Sequence, residues 1–268
     1  MRIGDPQPEH YGPMGSWLMM PLPDTSSAGP GQNARFTTTH WSVVLAAGGP
    51  DSGVAREALE RLCQTYWYPV YAYARRRGNS PEDAEDLTQE LFAKLIERND
   101  FANLSKERGR FRAFLLAALN HLLSDEYDRR RAAKRGGGKA PLSLDAQTAE
   151  ERYRLEPADT LTPERLYDRR WAFTVLEKAR VRLREEYKAV GKGELFELLK
   201  FLEPGAEQVP SQAEIGRRVG RTENAVKKEL FRLRQRYGQL VRAEVAQTVS
   251  SVAEIDEEVR CLLAAIGD

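Results

Sequence analysis

Cysteine and histidine are scarce in this chain, and long apolar runs are missing altogether. The two cysteines, Cys63 and Cys261, lie far apart with no Cys-x-x-Cys spacing. Neither a zinc site nor a disulfide framework is expected, and a reducing cytoplasm is the simplest location. His10, His40 and His121 share no metal-ligand spacing, and no nucleophile motif accompanies them. An enzyme is therefore not expected, and no cofactor is expected. No apolar run approaches the roughly 20 residues of a membrane helix, so no membrane insertion is expected. The segment Trp17–Leu22 is short and Pro-flanked, unlike a signal sequence. Strand signals are also lacking.

Net charge is nearly lacking too, at +1 over 268 residues. Yet 30% of the residues are charged, and their distribution is uneven. From Arg110 to Lys139 eight basic residues face three acidic ones, and from Arg217 to Arg236 eight face two. Glu82 to Glu97 reverses the balance, with six acidic residues against Lys94. Two basic blocks and an acidic helix suit a protein that meets DNA on one face and a basic protein on another.

The pattern along the chain divides it into five parts. Residues 1–35, rich in Pro, Gly, Ser and Gln, are expected to form a disordered extension. A helical domain is expected over 36–135. Within it Ala55–Tyr66 and Tyr68–Arg77 are helical, and Pro69 either starts the second helix or kinks a continuous one. Gly78-Asn79 ends that segment. Ser80-Pro81-Glu82-Asp83 then starts a helix, with a Ser cap, Pro in the first turn and carboxylates toward the dipole. Leu87, Leu91 and Leu95 give that helix its apolar stripe. Phe111 to Arg131 is a second long helix, with Phe111, Phe114, Leu115, Ala118 and Leu122 on one side. Gly136-Gly137-Gly138 opens a linker, 136–163, and a second helical domain follows over 164–248. A final amphipathic helix, within 249–268, places Val252, Ile255, Val259, Leu262 and Ile266 on one side. The expected fold class is all-α, two small helical domains joined by a flexible linker.

The second domain carries a helix-turn-helix pattern over Pro210–Tyr237. Ser211 and Glu214 form a Ser-x-x-Glu capping box, Ile215 and Val219 face inward, and Gly220 sits at the turn. Thr222 caps the second helix, where Val226, Leu230, Leu233 and Tyr237 recur at spacings of 4, 3 and 4. That leaves Arg221, Glu223, Asn224, Lys227, Lys228, Arg232 and Arg234 toward the outside. A recognition helix needs such a division, with an apolar side held by its partner and polar groups reaching base edges. Arginines further along suit phosphates.

The stretch Asp83-Ala-Glu-Asp-Leu-Thr-Gln-Glu-Leu-Phe-Ala-Lys-Leu-Ile-Glu-Arg98 resembles region 2.2 of bacterial sigma factors. Phe111-Arg-Ala-Phe-Leu through Arg131 is similar to regions 2.3 and 2.4, and the helix-turn-helix is similar to region 4.2. Their order, with a Gly-broken linker and no intervening third domain, resembles the extracytoplasmic-function sigma factors. The resemblance covers roughly residues 39–132 and 166–245. It implies that Asp83, Asp86, Gln89 and Glu90 meet the β′ clamp helices of core RNA polymerase, and that the second domain adjoins the β flap. It implies that Arg112, Asn120, Arg129, Arg130 and Arg131 contact the promoter −10 element. By the same resemblance the helix-turn-helix reads the −35 element, and the acidic linker threads toward the RNA exit path. An anti-sigma factor or other regulator would be a further partner.

Two residue-level alternatives stay open. Asn120 is either a polar contact to DNA or satisfied within the helix bundle, and the arginine run either holds phosphates or ends a helix favourably. The last helix is expected mainly to pack, with regulator contact or shielding of the basic recognition helix as the other roles. A stretch beyond the compact family pattern, 188–209, puts the packing of the second domain's first helix in question. At the level of function, a helix-turn-helix regulator working without polymerase is the alternative, and an adaptor for acidic proteins is a third reading.

Overall fold

The computed structural model describes residues 53–97, 110–132, 146–154, 161–199 and 210–267. Among these every regular element is helical, and the only β-type pairing is an isolated bridge between Arg110 and Val249. The expected all-α class is the observed one. The N-terminal extension lies outside the described residues, as do most of the linker's residues.

The chain forms two compact units. The first comprises the described residues up to Val175 together with Val245–Ala265, and the second is built from Leu176–Glu244. In order, α1 is Gly53–Arg76, α2 Pro81–Glu97, α3 Phe111–Ala132, α4 Ala146–Arg154 and α5 Pro163–Ala189. Then come α6 Gly193–Leu199, α7 Gln212–Arg218, α8 Glu223–Ala246, a 3-10 turn at Val252–Glu254 and α9 Ile255–Gly267.

Pro69 neither starts nor ends a helix, because α1 runs continuously through it. Proline removes one backbone donor and crowds the preceding turn. Burial of Tyr66, Val70, Tyr71 and Tyr73 on both sides of Pro69 outweighs that cost. Helix α1 closes where expected. Gly78 takes φ 90°, the amide of Asn79 donates to the carbonyl of Ala74 at 3.3 Å, and its side-chain amide donates there at 2.9 Å.

The core of the first unit is aromatic. Tyr66 meets Phe111 edge-on at 5.0 Å between centroids and tilts over Tyr167 at 6.4 Å. Leu166, Tyr167, Trp171, Ala172 and Val175, the first half of α5, are buried in this unit. The boundary expected at 163/164 is therefore displaced to Val175/Leu176, because that half-helix carries the large side chains that fill the aromatic core. The C-terminal segment also packs here, with Val249, Val259 and Leu262 buried. Its backbone joins the start of α3, where the Phe111 amide donates to the Thr248 carbonyl at 3.0 Å. Val252, expected on the buried stripe, is 60% exposed, since the 3-10 turn shifts the helical phase ahead of α9.

Part of the expected linker is structured. Helix α4 buries Ala149, and Glu150 reaches α1. Its carboxylate accepts from the Tyr71 hydroxyl at 2.6 Å and from the Arg75 guanidinium at 2.9 and 3.1 Å. Burial pushes the Glu150 carboxyl up, but hydrogen bonds from Arg75 and Tyr71, and the charges of Arg75 and Arg154, bring it below its ordinary 4.5. A depressed folded pKa stabilises the docked helix above about pH 4.5, and that contribution is lost as pH falls through the folded value. Acidification below about pH 4.5 should therefore loosen the docking of α4. Trp67, stacked on Tyr71 at 5.6 Å, reports it. A fluorescence change of Trp67 in acid that Glu150→Gln abolishes is the expected result, with the other three tryptophans replaced by phenylalanine.

In the second unit, Leu176, Ala179, Leu183 and Tyr187 of α5 are buried, as are Leu195, Phe196 and Leu199 of α6. The described part of the extra stretch 188–209 thus belongs to the core, with Phe196 lying 5.8 Å from the Tyr187 ring. Tyr237 ties α8 to α5 by donating to the Leu176 carbonyl at 3.0 Å.

Candidate nucleic-acid interface

Helix α2 begins as its residues dictate. Ser80 Oγ accepts from the Asp83 amide at 3.1 Å, and Glu82 and Asp83 occupy the first turn. Leu87, Leu91, Phe92 and Leu95 face the core, and Thr88 is buried by donating to the Ala84 carbonyl at 2.6 Å. The outward side therefore collects carboxylates. Asp86 is exposed, while Asp83, Gln89 and Glu90 are half-buried. Gln89 donates to Glu85 at 3.0 Å, and Glu90 pairs with Lys94 at 2.6 Å. Burial and the neighbouring charges of Asp86 and Glu82 push the Glu85 carboxyl up, with Gln89 opposing. A face that holds like charges this close gains by meeting a basic partner.

Helix α3 buries Phe111, Phe114, Leu115, Leu119 and Leu122, so Leu119 rather than the half-buried Ala118 continues the stripe. Asn120 is exposed on the far side. The Tyr73 hydroxyl lies 2.8 Å from its carboxamide oxygen and 3.1 Å from Glu164 Oε1. One hydroxyl proton serves one acceptor, and turning the amide about lets Asn120 donate while Tyr73 donates to Glu164. Asn120 is thus exposed and also partnered within the bundle. The backbone of Arg129, Arg130 and Arg131 is helical, and their side chains lie outside the described residues.

Arg112 is placed differently from a phosphate contact. Its guanidinium lies 4.8 Å from the Trp171 ring centroid, donates to Glu258 at 3.0 Å and pairs with Asp168. Its side chain is 14% exposed and that of Glu258 fully buried. Burial works against the Arg112 charge, yet Glu258 and Asp168 more than offset it and raise its pKa. Burial raises the Asp168 carboxyl despite Arg112 beside it. Arg110, one residue before the helix, pairs with Glu257 at 2.6 Å and Glu258 at 3.2 Å. Arg112, expected at the −10 element, is thus largely buried and satisfied by Asp168 and the carboxylate of Glu258.

The turn between α7 and α8 follows its local chemistry. Ser211 Oγ accepts from the Glu214 amide at 3.1 Å, but the Glu214 carboxylate pairs with Arg218 at 2.8 Å, leaving the expected capping box half made. Gly220 adopts φ 66°, and Thr222 Oγ1 accepts from the Ala225 amide at 3.3 Å. Val226, Leu230, Leu233 and Tyr237 are buried, as their spacing predicts. Arg221, Glu223, Asn224, Lys227, Lys228 and Arg232 are exposed, and Arg234 is half-buried. Among the described residues Lys227 and Lys228 form no ion pair, whereas Arg236 is bound to Glu186 at 2.7 Å.

Two residues were missed on this helix. Glu229 is buried and held by Lys192 at 2.8 Å, anchoring α8 to the loop before α6. Phe231 is 54% exposed among the cations. Its place off the 226/230/233/237 stripe was the available signal. Among the described residues no helix is long and apolar enough to cross a membrane.

The family model for Sigma-70 region 2 matches residues 62–133. This segment is similar to sigma-70 region 2. The match begins within α1, contains all of α2 and α3, and so includes the carboxylate face and Asn120. It ends well before α7 and α8, and it covers none of the C-terminal segment that satisfies Arg112. No curated protein and no solved structure matches the chain. The acidic face therefore belongs to a domain whose family binds core RNA polymerase and promoter DNA.

Proposed function

We propose that the chain is a sigma factor of the extracytoplasmic-function type, acting in the cytoplasm without catalytic activity of its own. The observation that carries this reading is the region 2 domain at 62–133 followed in the same chain by the capped pair α7–α8 with its basic outer face. In this reading Asp83, Asp86, Gln89 and Glu90 engage the β′ clamp helices, and the second unit meets the β flap. Asn120 and Arg129–Arg131 contact the −10 element. The pair α7–α8 acts as the helix-turn-helix that reads the −35 element. Glu223, Asn224, Lys227 and Lys228 near the start of α8 suit base edges, while Arg221, Arg232 and Arg234 suit phosphates. Phe231 supplies an apolar surface of the kind that meets a thymine methyl. An anti-sigma factor would act by covering one of these faces.

The test is transcription by cognate core polymerase with the purified chain on fragmented source DNA, sequencing the RNA 5′ ends. Discrete new starts sharing upstream elements are expected, with Asp86→Lys and Glu90→Lys together lowering their yield about tenfold or more, as loss of 1.4 kcal/mol or more at an interface requires. Folded protein that neither binds core nor yields new starts would overturn the reading in favour of a regulator working without polymerase.

A further inference from the structure

Helix α4 sits against the corner that the proposed function assigns to polymerase. Ala149 shares a buried cluster with Tyr68, Tyr71, Ala72, Ala74 and with Ala84 in the first turn of α2. That turn also carries Asp83. The Arg75 guanidinium holds both parts at once, donating to Glu150 on α4 and to the Asn79 carbonyl at 2.5 Å in the turn before α2. Arg75 also lies 4.9 Å from the Tyr153 ring centroid, and Arg152 lies 4.0 Å from that of Tyr68. The attachment is specific in its polar contacts and slight in its apolar ones. Ala149 is the one fully buried apolar residue that α4 shows among its described side chains, with Tyr153 partly buried beside it. A helix held this way can be released by a binding partner, whereas one with a large buried face cannot.

We propose that α4 is a latch, closed over the α1–α2 corner in the free chain and released when core polymerase binds there. The inference rests on the sigma-factor reading and adds a regulatory step to it. Glu150 follows Ala149, which shares its buried cluster with Ala84 next to Asp83, so a basic partner reaching Asp83 meets the latch. Closure lowers the apparent affinity for polymerase by the fraction of molecules that are open. Opening frees Arg75 and the stacked Trp67–Tyr71 pair at the edge of the interface.

Hydrogen exchange of the full chain, alone and with cognate core polymerase, tests this together with equilibrium binding. Amides of 147–154 should be protected in the free chain and lose that protection in the complex. Glu150→Ala should lose it without polymerase and bind core about tenfold more tightly, the factor for a latch open in one molecule of ten. Glu151→Ala, on the exposed side of α4, should leave both unchanged. Protection retained in a complex that forms would overturn the latch, as would Glu150→Ala with exposed 147–154 amides and unaltered affinity. Failure of the wild-type chain to bind core at all would instead overturn the sigma-factor reading on which the latch depends.

Discussion

Gly216→Ala should destabilise the second unit by about 2 kcal/mol or more, although alanine is the better helix former by about 1 kcal/mol. A Cβ at Gly216 would stand 2.6 Å from the Arg221 carbonyl oxygen, a separation real Cβ atoms essentially never show. The clash is with backbone, so no side chain can swing away. The same two residues are joined by the Arg221 amide donating to the Gly216 carbonyl at 2.8 Å, which closes the α7–α8 turn. An added methyl therefore separates the two helices at the point that sets their relation. Gly238→Ala is the contrasting case. Its Cβ meets nothing within 4 Å inside α8, so the helix gains roughly 0.5–1 kcal/mol. Thermal unfolding followed by circular dichroism should show opposite shifts, with Gly216→Ala lower by about 10 °C for a unit of this size. A Tm for Gly216→Ala at or above that of the parent chain would show that the turn yields at little cost. Under the proposed function the substitution also weakens −35 DNA binding while leaving the acidic face of α2 untouched.

Local chemistry made much of this architecture legible beforehand. The start of α2 follows from Ser80, Pro81 and two carboxylates, and the inner side of α8 follows from a 4-3-4 apolar spacing, since both signals lie within a few residues. What escaped depends on contacts between distant segments. Gly220 announces itself by its place at a turn, but Gly216 matters because Arg221 folds back on it. Pro69 reads either as a helix start or as a kink in a continuous helix until the burial of Tyr66 and Tyr73 around it is known. The net acidic stretch after the triple glycine reads as linker because its nine-residue helix draws its hold from Arg75 and Tyr71, more than seventy residues earlier. The acidic face of α2 could be read from sequence for the same reason that its cap could. The fate of Arg112 could not, because the carboxylates that claim it arrive 56 and 146 residues later.

That claim sets the second large effect. Glu258→Ala should cost the first unit about 3–5 kcal/mol, the range for breaking a buried pair by removing one partner. Arg112 would keep Asp168 and the Trp171 face but lose the fully buried carboxylate that accepts from its Nε. Replacing both partners by apolar side chains of similar size, Arg112→Met with Glu258→Leu, should recover part of the loss, because the two most buried charges then leave together while Asp168 is deprived of Arg112. Denaturant unfolding of the two single variants and the double variant measures this, with a coupling of 2 kcal/mol or more expected between contacting sites. A loss within about 0.5 kcal/mol, the ordinary range for surface substitutions, would show that this carboxylate does not hold Arg112 in the folded unit. The predicted loss instead makes the C-terminal segment part of the folded first unit. Val249, Val259 and Leu262 are buried there, and Thr248 satisfies the first amide of α3. The first unit is then completed by residues more than a hundred positions beyond the end of the match to region 2, and one of them satisfies the first amide of α3.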